Sequence, residues 1–386
     1  MAVRYPLLVI KRCFAAAPTK TIIDVQKALE RHVSMLSKNV NKSNYCIQCN
    51  NLNLLHDKDT ILLQPHKLYH YSPLLEKFSR AEVAKYRTMN DSKDQVVIPL
   101  SSVGRNEFFY KKYISWSDNV RFGILLEDLD TFAVWLAYRH NHGNIFSLST
   151  KIHEPMTFVT ACVDHIKLDD RHKIGLDEDI YMQGFVSWVG RSSLEVSMQL
   201  VQNSNSVPNK FLQSKFVMVA RDLEGKRSLT NVPLVTTNSK EESIFNEGKE
   251  AHILRKLKEE KSLLKTPPNE EETTWLHDMF KKTIQFGGYK VQGRILPPNH
   301  VWIHDACLSN SIICFPVKRN IYGKIFGGFL MRKALELAWS NACLFSGNRC
   351  NICGVDDIIF RKSVDVGAIL LLSSQVKTNR FLNCHC

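Results

Sequence analysis

The sequence predicts a duplicated α+β fold, in which a long helix followed by antiparallel strands occurs twice along 386 residues. Three observations carry that expectation. A wide apolar face recurs at helical spacing across residues 119–141. Runs rich in β-branched and aromatic residues follow it. The same order returns after residue 300, down to the echo of VDHI at 163–166 in VDDI at 355–358. Such an echo marks the repeat of a whole domain.

Taken in chain order, residues 1–23 carry Arg4, Lys11, Arg12 and Lys20 and no acidic residue. A basic, acid-poor, amphipathic start has the character of a mitochondrial transit peptide. Its apolar stretch is interrupted by Lys11 and Arg12, which argues against a secretory signal. Residues 24–106 form an N-terminal extension or linker; Val25, Leu29, Val33 and Leu36 have helical spacing, and no catalytic motif is present.

The first domain is expected over 107–230. Ile124, Leu125, Leu129, Phe132, Ala133, Leu136 and Ala137 cover so much of one helix that it must be mostly buried. Strands are expected at 157–168, 179–189, 194–201 and 211–220, with a GRSS turn after the second. Residues 231–299 are highly charged and broken by Pro267 and Pro268, which reads as a solvated helical linker. The second domain, 300–386, repeats the helix at 323–345 and strands within 354–376. The copies differ in length: the first has extra residues after its helix, around 139–151. Gln375 and Val376 match Trp188 and Val189, so the second copy lacks the last two strands and is expected to be C-terminally truncated.

Composition narrows the function. The net charge is +13, but lysine and arginine are spread evenly, without a basic block interleaved with aromatics. That disfavours nucleic acid as partner. No run approaches the ~18 apolar residues that a membrane helix requires. Two Cys-x-x-Cys pairs, Cys46/Cys49 and Cys350/Cys353, have zinc-ligand spacing, yet they lie far apart in unlike surroundings, so no metal is expected. The sequence contains no G-x-S-x-G, no phosphate-binding P-loop and no H-E-x-x-H.

The chemistry that remains sits at the helix starts. In FGGFLM, residues 326–331, two glycines let a ligand approach free N–H groups at the positive end of the second helix. Aimed at a thioester carbonyl, such groups stabilise the oxyanion formed when water attacks. The similar FGGY at 286–289 precedes KVQGRILPP, which cannot continue as a buried helix.

Together, FGGFLMRKALELAW, the 355–376 strand pair, VRFGILLEDLD, GFVSWVG and FVMVARD resemble the mitochondrial acyl-coenzyme A thioesterase 9 group of tandem-hotdog thioesterases over about 107–376. The resemblance implies two hotdog domains, each a long helix wrapped by a curved antiparallel sheet, paired within one chain and further assembled as homo-oligomers. It implies hydrolysis of fatty acyl-CoA to free fatty acid and coenzyme A in the mitochondrial matrix, without a cofactor. It also places the site between the domains, where an asparagine before one helix works with a carboxylate on the other helix as general base.

By position, the asparagine is Asn119. The carboxylate position falls on Leu335, with Glu336 next to it, and Asp130 holds the equivalent position in the first copy. Asn119 with Glu336 is therefore the first candidate pair, and Asp130, in a site of reversed polarity, the second. Lys324 stands where a second asparagine would be. Gly123, Gly327 and Gly328 are candidates for substrate contact, and Arg361, Lys362, Lys318 and Arg319 for coenzyme A phosphates. An acyl-CoA dehydratase would need a histidine at a helix start, but His140 and His142 lie past the far end of the first helix. The rival reading is a catalytically impaired acyl-CoA-binding or oligomerising protein whose shortened second domain has lost the site.

Overall fold

The computed structural model describes residues 20–40 and 86–377, apart from 102–106, 118, 144–155, 169–173, 205–206, 223–224, 263–264, 288–289 and 320–322. In chain order the elements are α1 (Ile22–Val40), α2 (Met89–Ser92), β1 (Asp94–Ile98), α3 (Glu107–Tyr113) and α4 (Phe122–His142). Strands β2 (Thr157–Leu168), β3 (Ile180–Val189), β4 (Ser193–Ser204) and β5 (Val207–Arg221) follow. Next come α5 (Ser239–Glu260), α6 (Glu270–Lys282), β6 (Ile284–Gly287) and β7 (Lys290–Arg294). The second half contributes β8 (Cys307–Ile313), α7 (Gly327–Ser346), β9 (Gly354–Ile359) and β10 (Ile369–Gln375). The result is the mixed helix and antiparallel sheet that the sequence predicts.

Both halves run in the order strand, helix, strand, strand. β1, α4, β2 and β3 stand in the same chain order as β8, α7, β9 and β10. In the first half β4 and β5 complete one antiparallel sheet, ordered β1-β3-β4-β5-β2. In the second half β10 pairs only with β8, and β9 instead pairs antiparallel with β2, extending the first sheet to six strands.

Helix α4 lies along one face of the first sheet. Leu125, Leu129, Phe132, Ala133, Trp135 and Leu136 are completely buried, as their spacing requires. At Gly184 in β3 a Cβ would stand 2.7 Å from the Leu136 side chain and 2.9 Å from the Ser197 carbonyl. Only glycine permits the helix to come that close to the strand. Helix α7 has less to pack against: Gly328, Phe329, Met331, Leu337 and Asn341 are buried, while Leu344 is 72% exposed and Leu371 on β10 is 79% exposed.

Two expected linkers are structural. Thr21 and Asp24 cap α1 reciprocally, with the Thr21 N–H donating to Asp24 Oδ2 at 2.9 Å. Ile22, Val25 and Ala28 then enter the main core, so the 24–106 extension contributes packing. The expected leader boundary at residue 23 falls within the first turn of α1; residues 1–19 lie outside the described residues. Helix α5 is not simply solvated either. A register shift at Val186/Trp188 turns Trp188 to the outer face of the sheet, where His252 stacks on it at 4.7 Å and Gly248 packs close. There Glu195, fully buried, receives Ser187 Oγ at 3.0 Å, Lys215 Nζ at 3.4 Å and Arg255 Nη1 at 3.5 Å. A carboxylate buried under a helix persists only with such partners. In contrast α6 buries nothing and fits the solvated reading, and β6, which carries Phe286 and Gly287, pairs with β7; the rest of FGGY lies outside the described residues.

Candidate active site

The starts of α4 and α7 face each other in opposite directions. A Cβ on Gly123 would meet Arg332 Cγ at 2.8 Å, and one on Gly328 would meet the Glu127 backbone at 2.8 Å. Between them Arg332 Nη1 lies 3.3 Å from Glu127 Oε1, with Lys318 Nζ 4.0 Å from the same oxygen. This arrangement is an approximate twofold. Gly123, Glu127 and Asp130 on α4 answer to Gly328, Arg332 and Leu335 on α7, and each helix start looks at the middle of the other helix.

At the start of α7 stands a carboxylate. Asp130 Oδ2 accepts the Gly328 N–H at 2.6 Å, and Oδ1 accepts the Thr160 hydroxyl at 2.5 Å. The side chain is 1% exposed. Burial pushes its carboxyl up to about 6, against the hydrogen bonds from Thr160 and Gly328, which favour the charge. Gly327 forms the adjoining wall: a Cβ there would lie 3.1 Å from Asp130 Oδ2 and 3.6 Å from the Phe360 ring.

The start of α4 is filled differently. Arg121 Nη2 donates to Glu336 Oε1 at 2.6 Å, and Lys333 Nζ to Oε2 at 2.9 Å. Burial pushes the Glu336 carboxyl up, but Lys333 and Arg121 outweigh it and hold it below its ordinary range. Asn119 donates its amide to Ser117 Oγ at 3.3 Å, and no hydrogen bond joins it to Glu336 among the described residues. Leu335, the true counterpart of Asp130, packs against the main core.

Among the described residues Asp130 is thus held at the start of α7, while Asn119 and Glu336 have separate partners. A carboxylate with both oxygens held by cations and a depressed proton affinity is a poor base near neutrality. One raised to about 6 is ionised there and still basic. Gly327 and Gly328 flank that carboxylate, whereas Gly123 is covered by the Arg332 stem. Lys324 pairs with Asp365. Arg361 and Lys362 are exposed just beyond β9, next to Phe360, and Arg319 is exposed ahead of α7.

Sequence reasoning missed Thr160 and Arg121. Thr160 had a signal, being a polar residue on the face of β2 that otherwise points Phe158, Val163 and Ile166 into the core. Arg121 had none, because its role depends on a residue of the other half.

No family profile matches the chain. Residue for residue, it is 43% identical over 293 residues to the mouse (Mus musculus) protein named acyl-coenzyme A thioesterase 9, mitochondrial, covering 75% of this chain and 64% of that one. It is 42% identical over 290 residues to the human (Homo sapiens) protein of the same name, again 75% and 64%. A hop (Humulus lupulus) protein named acyl-coenzyme A thioesterase 4, mitochondrial, is 35% identical over 271 residues, 67% of this chain and 47% of that one. The chain thus spans just under two thirds of the length of its animal relatives. Among solved structures, an acyl-CoA hydrolase from Staphylococcus aureus in complex with butyryl coenzyme A aligns at 17% identity and TM-score 0.35, covering 51% of this chain and 99% of that one. A hexameric acyl-CoA thioesterase aligns at 18% and 0.36, covering 46% and 99%. These superpositions are loose. The sequence identity, spread over three quarters of the chain, is what places it: the chain belongs to the acyl-coenzyme A thioesterase 9 and 10 family.

Proposed function

We propose that this chain hydrolyses acyl-CoA thioesters to a carboxylic acid and coenzyme A, with Asp130 as general base. The observation that carries the reading is the buried Asp130 carboxylate held by Gly328 N–H and Thr160 at the start of α7. Asp130 takes a proton from a water molecule as its oxygen attacks the thioester carbonyl carbon. The positive end of α7 and its first-turn amides stabilise the resulting oxyanion. Collapse of the intermediate expels the coenzyme A thiolate, which recovers the proton from Asp130. Thr160 and Gly328 orient the carboxylate and keep it charged. Arg361, Lys362 and Lys318 are placed to attract the phosphates of coenzyme A.

The finer architecture belongs to the same proposal. The two helix-and-sheet halves are read as paired hotdog domains, the second incomplete, with one competent site between them and the chain acting as a homo-oligomer. Mitochondrial relatives and the basic N-terminus support placement in the mitochondrial matrix.

The test is free-thiol release from a panel of acyl-CoAs by the purified chain. Release from at least one chain length, lost in Asp130→Asn with the fold retained, supports the reading. A folded wild type that releases no thiol from any acyl-CoA but binds coenzyme A would instead support the non-catalytic alternative.

A further inference from the structure

We propose that Cys343 and Cys350 are a thiol pair that closes to a disulfide when the chain meets glutathione disulfide. Helix α7 ends at Gly347, which adopts a left-handed conformation (φ 71°) and turns the chain back on its last turn. That reversal brings the Cys350 N–H to 3.4 Å from Cys343 Sγ and so seats the two cysteines side by side. Ser346 Oγ is 3.4 Å from Cys350 Sγ. Trp339 Nε1 donates to the Cys350 carbonyl at 2.8 Å, so the turn is anchored with its thiol facing the helix. Both cysteines are free and half-buried.

Burial raises the Cys343 thiol above its ordinary range. In the step itself, the Cys350 thiolate attacks glutathione disulfide, expelling one glutathione thiolate. Cys343 then displaces the second from the mixed disulfide. Two protein thiols are oxidised, one glutathione disulfide is reduced to two glutathiones, and the two protons leave with them.

The bridge would reach beyond its own turn. Arg349, next to Cys350, lies over the rings of Trp339 and Trp116, 5.5 Å and 4.9 Å from their centroids. Trp116 belongs to the segment leading into α4 and is 65% exposed. Oxidation would therefore pin the far end of α7 to the approach of α4.

The neighbouring Cys-x-x-Cys spacing offers a competing bridge, Cys350 to Cys353, and the two can be told apart by mass. The full chain is incubated with glutathione disulfide, remaining thiols are blocked, and trypsin is applied without reductant. Cleavage after Arg349 separates Cys343 from the other two. The expected product is peptide 334–349 linked to peptide 350–361, retained in Cys353→Ala and lost to background in Cys343→Ala and Cys350→Ala. A bridge inside peptide 350–361, glutathione adducts without a link, or a link that persists in Cys350→Ala would overturn the proposal.

Discussion

The two halves follow one plan but bury their helices to different depths. Helix α4 is enclosed by five strands, α1 and α7, and most of its side chains are inaccessible. Helix α7 meets α4, the short β8–β10 pair and little else, and leaves Leu344 exposed. The helix starts differ in the same sense. The start of α7 receives a dry, hydrogen-bonded carboxylate from the well-packed helix. The start of α4 receives a leucine and an ion-paired glutamate from the poorly packed one. A general base needs a rigid, desolvated surrounding to hold its geometry and raise its proton affinity, and only the first half supplies that surrounding. The carboxylate therefore comes from the half with the larger sheet, while the other half contributes a helix end, which demands less burial.

The comparison breaks most visibly in stability. Phe132→Ala removes a fully buried ring from α4 and should cost roughly 3–5 kcal/mol. Leu344→Ala, at an exposed position on α7, should change stability by only about 0.5 kcal/mol or less. Urea unfolding of the two variants checks this, and equal losses would mean that α7 is as well packed as α4.

Glycine substitutions sharpen it next. Gly328→Ala sets a Cβ 2.8 Å from the Glu127 backbone, which cannot give way without moving α7 off Asp130. Thiol release should fall by roughly tenfold or more, since small displacements of aligned groups are costly. Gly123→Ala meets the Arg332 stem instead and should cost less activity.

A subtler effect appears in the pH dependence. Thiol release should rise with pH through about 6 as Asp130 loses its proton. The Thr160 hydrogen bond lowers that proton affinity, so Thr160→Val should move the midpoint upward. Linkage has a fixed sign as well. Because the folded-state value is raised from 3.8 to about 6, this group's contribution to stability is fully present below 3.8 and is lost as pH rises through about 6. Thermal melts across that window, flattened by Asp130→Asn, check it.

Much of this was legible from residue order. The α4 periodicity, the strand runs and the VDHI/VDDI echo locate the repeated elements, because helix and strand periods are local properties. Gly327 and Gly328 mark the start of the second helix for the same reason. What could not be read were contacts between distant segments. Residues 231–299 look like a charged tether until Trp188 and Glu195 are seen beneath α5. The resemblance puts the carboxylate position on Leu335, next to Glu336, but Arg121, far away in sequence, makes this glutamate an ion-pair partner. Asp130 gains its character from Thr160 on a strand and Gly328 in the other half.

The most direct measurement is thiol release at pH 7.5 by Asp130→Asn beside Glu336→Gln, each with circular dichroism as a check on folding. The expected result is a loss of ~10²–10⁴-fold for Asp130→Asn and a change of only about twofold for Glu336→Gln. The reverse pattern, with Glu336→Gln inactive and Asp130→Asn near wild type, would contradict the assignment and return the site to the start of α4.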